Sequence, residues 1–80
     1  MHQGLNVKYS LSGGTAVVSG PCTVTKENYS IEVDAVALRF WMTGNGYVQD
    51  LFPRLSAADR EFLISGVSPE GWNTLFGEND

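Results

Sequence analysis

The stretch from Leu55 to Phe76 constrains the fold of this chain most strongly, because it carries the start and stop signals of two short helices. Ser56 and Asp59 form an S-x-x-D capping box, in which each side chain is expected to accept a hydrogen bond from the other residue's backbone N–H. Gly66 is expected to end this first helix in a Schellman motif, since glycine enters the left-handed region without strain.

The second helix is predicted to begin directly after this stop. Ser68 is placed to cap it, and Pro69 follows at the first helical position, where a missing N–H costs nothing. Val67 is spaced to pack against Trp72 as a hydrophobic staple, and Gly77 is the expected end of the helix. All of these are folding signals, so by themselves they predict a scaffold rather than chemistry.

The chain ahead of these helices begins with a predicted β-hairpin. Residues 5–11 alternate between apolar and polar side chains, which is typical of a half-buried strand. Gly13 and Gly14 predict a tight turn, because glycine supplies the positive φ that short hairpin turns need. With this turn, Leu11 is expected to lie opposite Ala16 on the apolar face.

Two more strands are predicted after the turn. One covers residues 15–25 and is expected to contain a bulge or a break at Gly20-Pro21, because proline cannot donate to a strand ladder. The next covers residues 29–33, and a short loop would place Cys22 opposite Ile31. The three strands together predict an antiparallel meander with one apolar face.

Helices are expected to cover that face. Asp34 is placed to cap a helix from Ala35 to about Met42 that is apolar around most of its circumference, which predicts burial on more than one side. A short helical turn is predicted from Tyr47 to Phe52. The predicted fold class is therefore α+β, a three-stranded antiparallel meander followed by three to four short helices packed on one sheet face.

The charge of the chain is unevenly distributed. The 80 residues indicate one domain over 1–80, with residues 1–4 and 78–80 expected to be flexible. Residues 1–43 carry three basic and three acidic side chains, whereas residues 44–80 carry two basic and six acidic ones, which accounts for the whole net charge of −4. Phosphate repels an acidic surface, so direct nucleic-acid binding is not expected, and a partner protein with a basic surface is favoured.

The cellular compartment is predicted from what the sequence lacks. A single cysteine cannot form an internal disulfide and favours a reducing environment. No apolar run approaches the roughly 18 residues of a membrane span, and the N-terminus lacks the pattern of a secretory signal. We therefore expect a cytoplasmic protein with no membrane partner.

Residue types that perform catalysis are sparse. His2 stands at a terminus that is expected to be mobile, whereas a general base needs a fixed position. Cys22 has no neighbouring base to activate it and is predicted to be an inert core cysteine. Asp59 and Glu61 are two positions apart on a helix, so they do not face each other as an acid–base pair. With one histidine and one cysteine, no zinc site can form, and we predict no enzymatic activity and no cofactor.

One segment of the second half also has a family resemblance. From Gln49 to Trp72 the chain follows the pattern Q-x-x-x-P-x-L-S-x-x-x-R-E-F-L-x-[ST]-G-x-x-P-E-x-W. The pattern resembles the C-terminal segment of short open reading frames carried by phages and mobile elements. The resemblance covers residues 47–76 and implies a phage or mobile-element origin, without implying any catalytic residue.

Without a catalytic set, the chain is predicted to act by binding. The first hypothesis is a small acidic interaction module that binds and inhibits a host protein complex, for example as an anti-defence protein of the anti-CRISPR type. Its carboxylates would take the place of phosphates on a basic, nucleic-acid-binding surface of the partner. The residues expected to contact that partner are charged or aromatic: Asp50, Asp59, Arg60, Glu61, Glu70, Trp72 and Glu78.

Two other functions are consistent with the same residues. A structural or assembly protein would work as a homodimer, through an open sheet edge or exposed aromatic rings. A small enzyme subunit would need a partner to complete its site.

Arg60 and Glu61 are expected to be exposed, either in a salt-bridge web with Asp50 and Arg54 or as a charged recognition face.

Overall fold

Three strands are followed by four helices in a computed structural model that describes residues 1–76. The strands form one antiparallel sheet in the order β1-β2-β3. This confirms the predicted α+β class and the meander. The elements are β1 (Asn6–Tyr9), β2 (Thr15–Pro21), β3 (Asn28–Asp34), α1 (Ala35–Met42), α2 (Val48–Leu51), α3 (Ala57–Ser65) and α4 (Pro69–Phe76).

The two faces of the sheet differ in polarity. The face under the helices carries the core, with buried Ala16 and Val18 on β2 beside Val33 and Ile31 on β3. The helical half contributes its own buried side chains: Leu38, Phe52, Phe62 and Leu63. On the opposite face, Lys8, Val17 and Glu32 are exposed in one row across the three strands.

The predicted register of the first hairpin is wrong. Tyr9, not Leu11, lies opposite Ala16. The connection is a loop over residues 11–14, in which only Gly13 has a positive φ, of 79°, and it places Leu11 fully in solvent. The loop is closed by a 2.9 Å hydrogen bond from the Ser10 N–H to the Thr15 carbonyl, which a turn at Gly13-Gly14 alone would not form.

The second strand ends where its proline predicts. β2 stops at Pro21, which is exposed, and Cys22 begins the connection to β3. The predicted pairing of Cys22 with Ile31 is wrong, since Val18 lies opposite Ile31. The Cys22 N–H donates to the Glu27 carbonyl at 2.9 Å, so residues 22–27 form a closed loop rather than a continuation of the strands.

Helix α1 has the predicted bounds and cap. The Asp34 carboxylate accepts a 3.1 Å hydrogen bond from the Val36 N–H. Burial on more than one side is wrong, because Val36, Phe40 and Met42 are 50–56% exposed. A chain of this size has one core, so α1 can bury only the face that meets the sheet and α2.

The start of α3 follows half of the predicted capping box. The Ser56 hydroxyl accepts from the Asp59 N–H at 3.1 Å, whereas the Asp59 carboxylate accepts a hydrogen bond from Tyr29 instead of capping in return. The end of α3 is also simpler than predicted. Gly66, with φ 77°, donates its N–H to the Phe62 carbonyl, and the Val67 N–H donates to the Ser65 hydroxyl. This pattern is the αL motif, which has a single backbone hydrogen bond, and not a Schellman motif.

Helix α4 begins as predicted, with the Ser68 hydroxyl accepting from the Gly71 N–H at 3.1 Å. The stop expected at Gly77 lies outside the described residues, as do residues 78–80. At the other end of the chain, the His2 N–H donates to the Leu63 carbonyl at 3.0 Å and its ring lies against Gly66. The backbone and the ring of His2 therefore both contact the end of α3.

Candidate functional site

An open groove lies where β2 begins, β3 ends and the chain passes from α2 to α3. We call it the edge groove, because β3 is an edge strand of the sheet. Its volume is about 630 Å³, and residues 50–55 form one wall. Its charged lining residues are Glu32, Asp34, Asp50 and Arg54.

Each charged side chain of the edge groove is positioned by local folding. Glu32 projects from β3 on the face away from the core, and Asp34 is held at the first turn of α1 by its capping bond. Asp50 lies in the single turn of α2, which ends before Pro53. Three carboxylates against one guanidinium give the groove a negative field, which favours a cationic ligand.

Arg60 supports the wall of the edge groove that residues 52–55 form. Its Nη1 atom donates to the Leu55 carbonyl at 2.7 Å and to the Phe52 carbonyl at 3.3 Å, which ties residues 52–55 to α3. The sequence predicted a salt-bridge web around Arg60. The Arg60 guanidinium instead donates to backbone carbonyls, which gives it a structural role. Arg60 and Glu61, predicted to be exposed, are both half-buried.

A second groove lies between α3 and α4. It has a volume of about 480 Å³, and Ala58, Glu61, Pro69 and Trp72 are among its lining residues. The Trp72 ring stacks on Phe76 with centroids 5.1 Å apart. Within residues 1–76, the Trp72 Nε1 atom is buried without a hydrogen-bond partner, which costs free energy in the unbound chain.

The structure distributes the predicted contact residues over several places. Asp50 lines the edge groove, and Glu61 and Trp72 line the α3–α4 groove. Glu70 is exposed in the first turn of α4. Glu78 lies outside the described residues. Among the described residues, Asp50, Glu61, Trp72 and Glu70 are therefore divided between two grooves and the exposed start of α4.

Asp59 is the remaining predicted contact residue, and it is used inside the fold. The Tyr29 hydroxyl donates to its Oδ1 atom at 2.6 Å. This hydrogen bond is the main reason why the pKa of Tyr29 is raised to about 12, with burial and the carboxylate charge adding to it. The Tyr29 ring also packs edge-on against Phe62, so the pair joins β3 to α3. Asp59, which is half-buried, therefore has a structural role through its hydrogen bond with Tyr29.

Cys22 occupies a polar pocket at the start of α4. Its Sγ atom accepts hydrogen bonds from the backbone N–H groups of Val24, Thr25 and Ser68 at 3.3–3.4 Å. Burial raises the pKa of this thiol, but the hydrogen bonds from Ser68 and Thr25 outweigh burial and lower the pKa from 9.0 to about 6. The side chain is 0% exposed, and its hydrogen bonds connect the loop over residues 22–27 to the start of α4.

Sequence reasoning missed Glu32 and Asp34 as members of a charged site. Both lie in the half of the chain whose charges cancel, where Glu32 falls within the predicted strand over residues 29–33 and Asp34 is the predicted helix cap. Folding places them in the lining of the same groove as Asp50 and Arg54. No local signal links these two parts of the chain, because their proximity depends on how the α2–α3 connection packs against the sheet.

Comparisons with known proteins add no family to this picture. No family model matches the chain, and neither the curated proteins nor the solved structures contain a match. The phage or mobile-element resemblance therefore stays a prediction. Among residues 1–76, no group of three histidine, cysteine or acidic side chains could hold a metal ion. None of the helices in this part of the chain is long and apolar enough to cross a membrane.

Proposed function

We propose that this chain is a small, non-catalytic binding module that uses the edge groove to engage a basic surface of another protein. The observation that carries the proposal is the convergence of Glu32, Asp34 and Asp50 on one groove in which Arg54 supplies the opposing charge. A groove with this charge attracts lysine and arginine side chains and repels phosphate.

The apolar part of the groove supports a protein ligand over a simple cation. Leu51, Phe52 and Leu55 line it beside the carboxylates. Apolar lining gives a partner side chain surface to bury, and the surrounding charges select a basic residue and fix its orientation. A carboxylate cluster without this lining would offer only weak, salt-screened attraction.

The phage or mobile-element origin implied by the resemblance extends the proposal to inhibition. The partner is then a complex of the bacterial host with a basic surface that handles nucleic acid. By covering this surface with carboxylates in place of phosphates, the chain would block the complex, as an anti-defence protein of the anti-CRISPR type would. The site of action is the host cytoplasm.

Affinity capture from host lysate tests the proposal with two charge-matched variants. Glu32→Lys combined with Asp50→Lys reverses the edge groove, and Glu61→Lys combined with Glu70→Lys makes the same change in net charge on α3 and α4. We expect the unaltered chain and the helix variant to retain a basic, nucleic-acid-handling protein in a salt-sensitive manner, and the groove variant to lose it. The activity of the captured complex should fall when the unaltered chain is added.

Two results would contradict the proposal. Retention of the same proteins by the groove variant, unaffected by salt, would show that the groove charges are not used. Loss of the partner from the helix variant alone would place the binding surface on Glu61 and Glu70 and remove the edge groove from the function.

A second candidate function rests on α1. Its exposed Val36 and Phe40 are one helical turn apart and form an apolar patch that a homodimeric assembly protein would bury. Light scattering at increasing protein concentration decides this candidate. A dimer that dissociates when Phe40 is changed to Ser supports it, and a monomer at high concentration removes it.

A further inference from the structure

The open edge of β3 offers unpaired backbone groups beside the edge groove. Antiparallel pairs alternate between hydrogen-bonded and non-hydrogen-bonded positions. At one end of the β2–β3 ladder the Ala35 N–H donates to the Gly14 carbonyl, and at the other the Cys22 N–H donates to the Glu27 carbonyl. Hydrogen-bonded pairs recur at every second position between these two ends. The residues of β3 that bond to β2 are therefore Tyr29, Ile31 and Val33.

The alternate residues of β3 therefore point their backbone groups outwards. Ser30 and Glu32 lie in the middle of this edge, and both side chains are exposed on the sheet face away from the core. Within the described part of the chain, no further strand pairs with β3. An edge with free N–H and C=O groups is a template for another strand.

The opposite edge of the sheet is a poorer template. β1 spans Asn6–Tyr9, whereas β3 spans Asn28–Asp34 and is nearly twice as long. Lys8 lies on β1, and the guanidinium of Arg39 lies 5.1 Å from the Tyr9 ring centroid at its end. Short strands and lysine residues are common features that protect an edge against pairing.

Charge decides which strand fits β3. Glu32 and Asp34 belong both to this strand and to the edge groove, and Asp50 lines the groove from the other side. A second copy of the chain would bring its own Glu32 and Asp34 to the same edge, and like charges there oppose pairing. A strand with lysine or arginine at every second position would instead place cations beside these carboxylates.

We infer that β3 accepts an extended segment of a partner protein in which basic and apolar residues alternate. The basic side chains lie beside Glu32 on the outer face, and the apolar ones extend the core face next to Ile31 and Val33. This inference rests on the proposed function and adds the mode of binding. Backbone hydrogen bonds supply affinity, and the groove selects the sequence of the added strand.

Hydrogen exchange measured by NMR tests the pairing, with a short capped peptide of alternating lysine and valine as the probe. We expect the amides of Ser30 and Glu32 to exchange rapidly in the free chain and slowly with the peptide, while the amide of Tyr9 on the opposite edge is unchanged. A peptide of the same sequence in which every backbone nitrogen is methylated carries the same charge but has no N–H groups and cannot approach the strand edge, so it should give no protection.

Each other outcome of this experiment overturns the inference. Equal binding of both peptides without protection of Ser30 and Glu32 would leave charge recognition and remove strand addition. No protection by the lysine–valine peptide at millimolar concentration would also rule out strand addition. Protection that grows with protein concentration in the absence of peptide would assign the edge to a second copy of the chain.

A chemically synthesised chain with an N-methyl group on Ser30 separates this inference from the proposed function. The methyl group removes one outward N–H, and we expect the lysine–valine peptide to bind about five- to tenfold more weakly, which corresponds to one lost hydrogen bond. N-methylation of Tyr9 on the opposite edge is the control. If N-methyl-Ser30 binds normally while the groove variant fails, strand addition is wrong and the function stands; if both bind normally, the function is wrong as well.

Discussion

The two ends of β2 use their polar groups in opposite ways. At the Pro21 end, three backbone N–H groups converge on the buried sulfur of Cys22. At the Thr15 end, carboxylates surround an open groove and the adjoining edge of β3 lacks a partner within the described residues. The first end is closed by internal hydrogen bonds, and the second leaves hydrogen-bonding capacity and charge for another molecule. Changes at the first end should therefore alter stability, and changes at the second should alter binding.

Cys22→Ala should cause the largest loss of stability. It removes the acceptor of one buried and two partly buried N–H groups, and we expect the free energy of unfolding to fall by roughly 3 kcal/mol. Cys22→Ser retains an acceptor and should lose clearly less. Urea unfolding followed by circular dichroism measures both, and equal losses for the two variants would show that the hydrogen bonds to the sulfur contribute little.

Gly71→Ala should have the next largest effect, at the same end of β2. A Cβ atom there would lie 2.7 Å from the Cys22 Sγ and 2.9 Å from the Val67 Cγ1, so we expect a loss of about 1–3 kcal/mol from overpacking. Gly14→Ala, at the groove end, is the matched control, because its Cβ would meet nothing closer than 3.8 Å. Thermal unfolding of the two variants compares the ends directly, and similar melting temperatures would contradict the difference.

Tyr29→Phe should have a smaller effect, which depends on pH. Losing the hydrogen bond to Asp59 should cost about 1–2 kcal/mol at neutral pH. Because folding raises the pKa of Tyr29 from 10.0 to about 12, its contribution is complete below pH 10 and is lost as the pH rises towards 12.

Unfolding measured from pH 7 to 12 tests this sign. The stability difference between the unaltered chain and Tyr29→Phe should shrink across the upper part of that range. Tyr47→Phe is the control, since Tyr47 is 74% exposed and should behave like the unaltered chain. A difference that stays constant up to pH 12 would show that the hydrogen bond does not favour the neutral phenol.

Neutralising the groove should have the smallest effect on stability. Glu32→Gln with Asp50→Asn keeps shape and removes charge, and we expect the free energy of unfolding to change by less than about 0.5 kcal/mol. Binding of the lysine–valine peptide should weaken, and the salt dependence of that binding should flatten. A large stability change would mean that these carboxylates support the fold, and the contrast between the ends of β2 would disappear.

Local signals predicted the elements of this fold well. Asp34, Ser56 and Ser68 cap the helices as expected, and Pro21 ends its strand. Each of these features depends on a few neighbouring residues, whose backbone preferences and hydrogen bonds are the same wherever the element packs. The strand registers were predicted less well, because loop closure by the Ser10 and Cys22 backbone groups is decided over several residues at once.

The sequence alone therefore determined the order, type and approximate ends of the strands and helices, together with the excess of negative charge in the second half. Tertiary structure decided which charges share a surface. It placed Glu32 and Asp34 in the same groove as Asp50, and it engaged Asp59 with the Tyr29 hydroxyl and Arg60 with two backbone carbonyls. The physical reason is that capping and periodicity act over one or two helical turns, whereas a binding surface is formed by residues far apart in the chain that meet only after the core has packed.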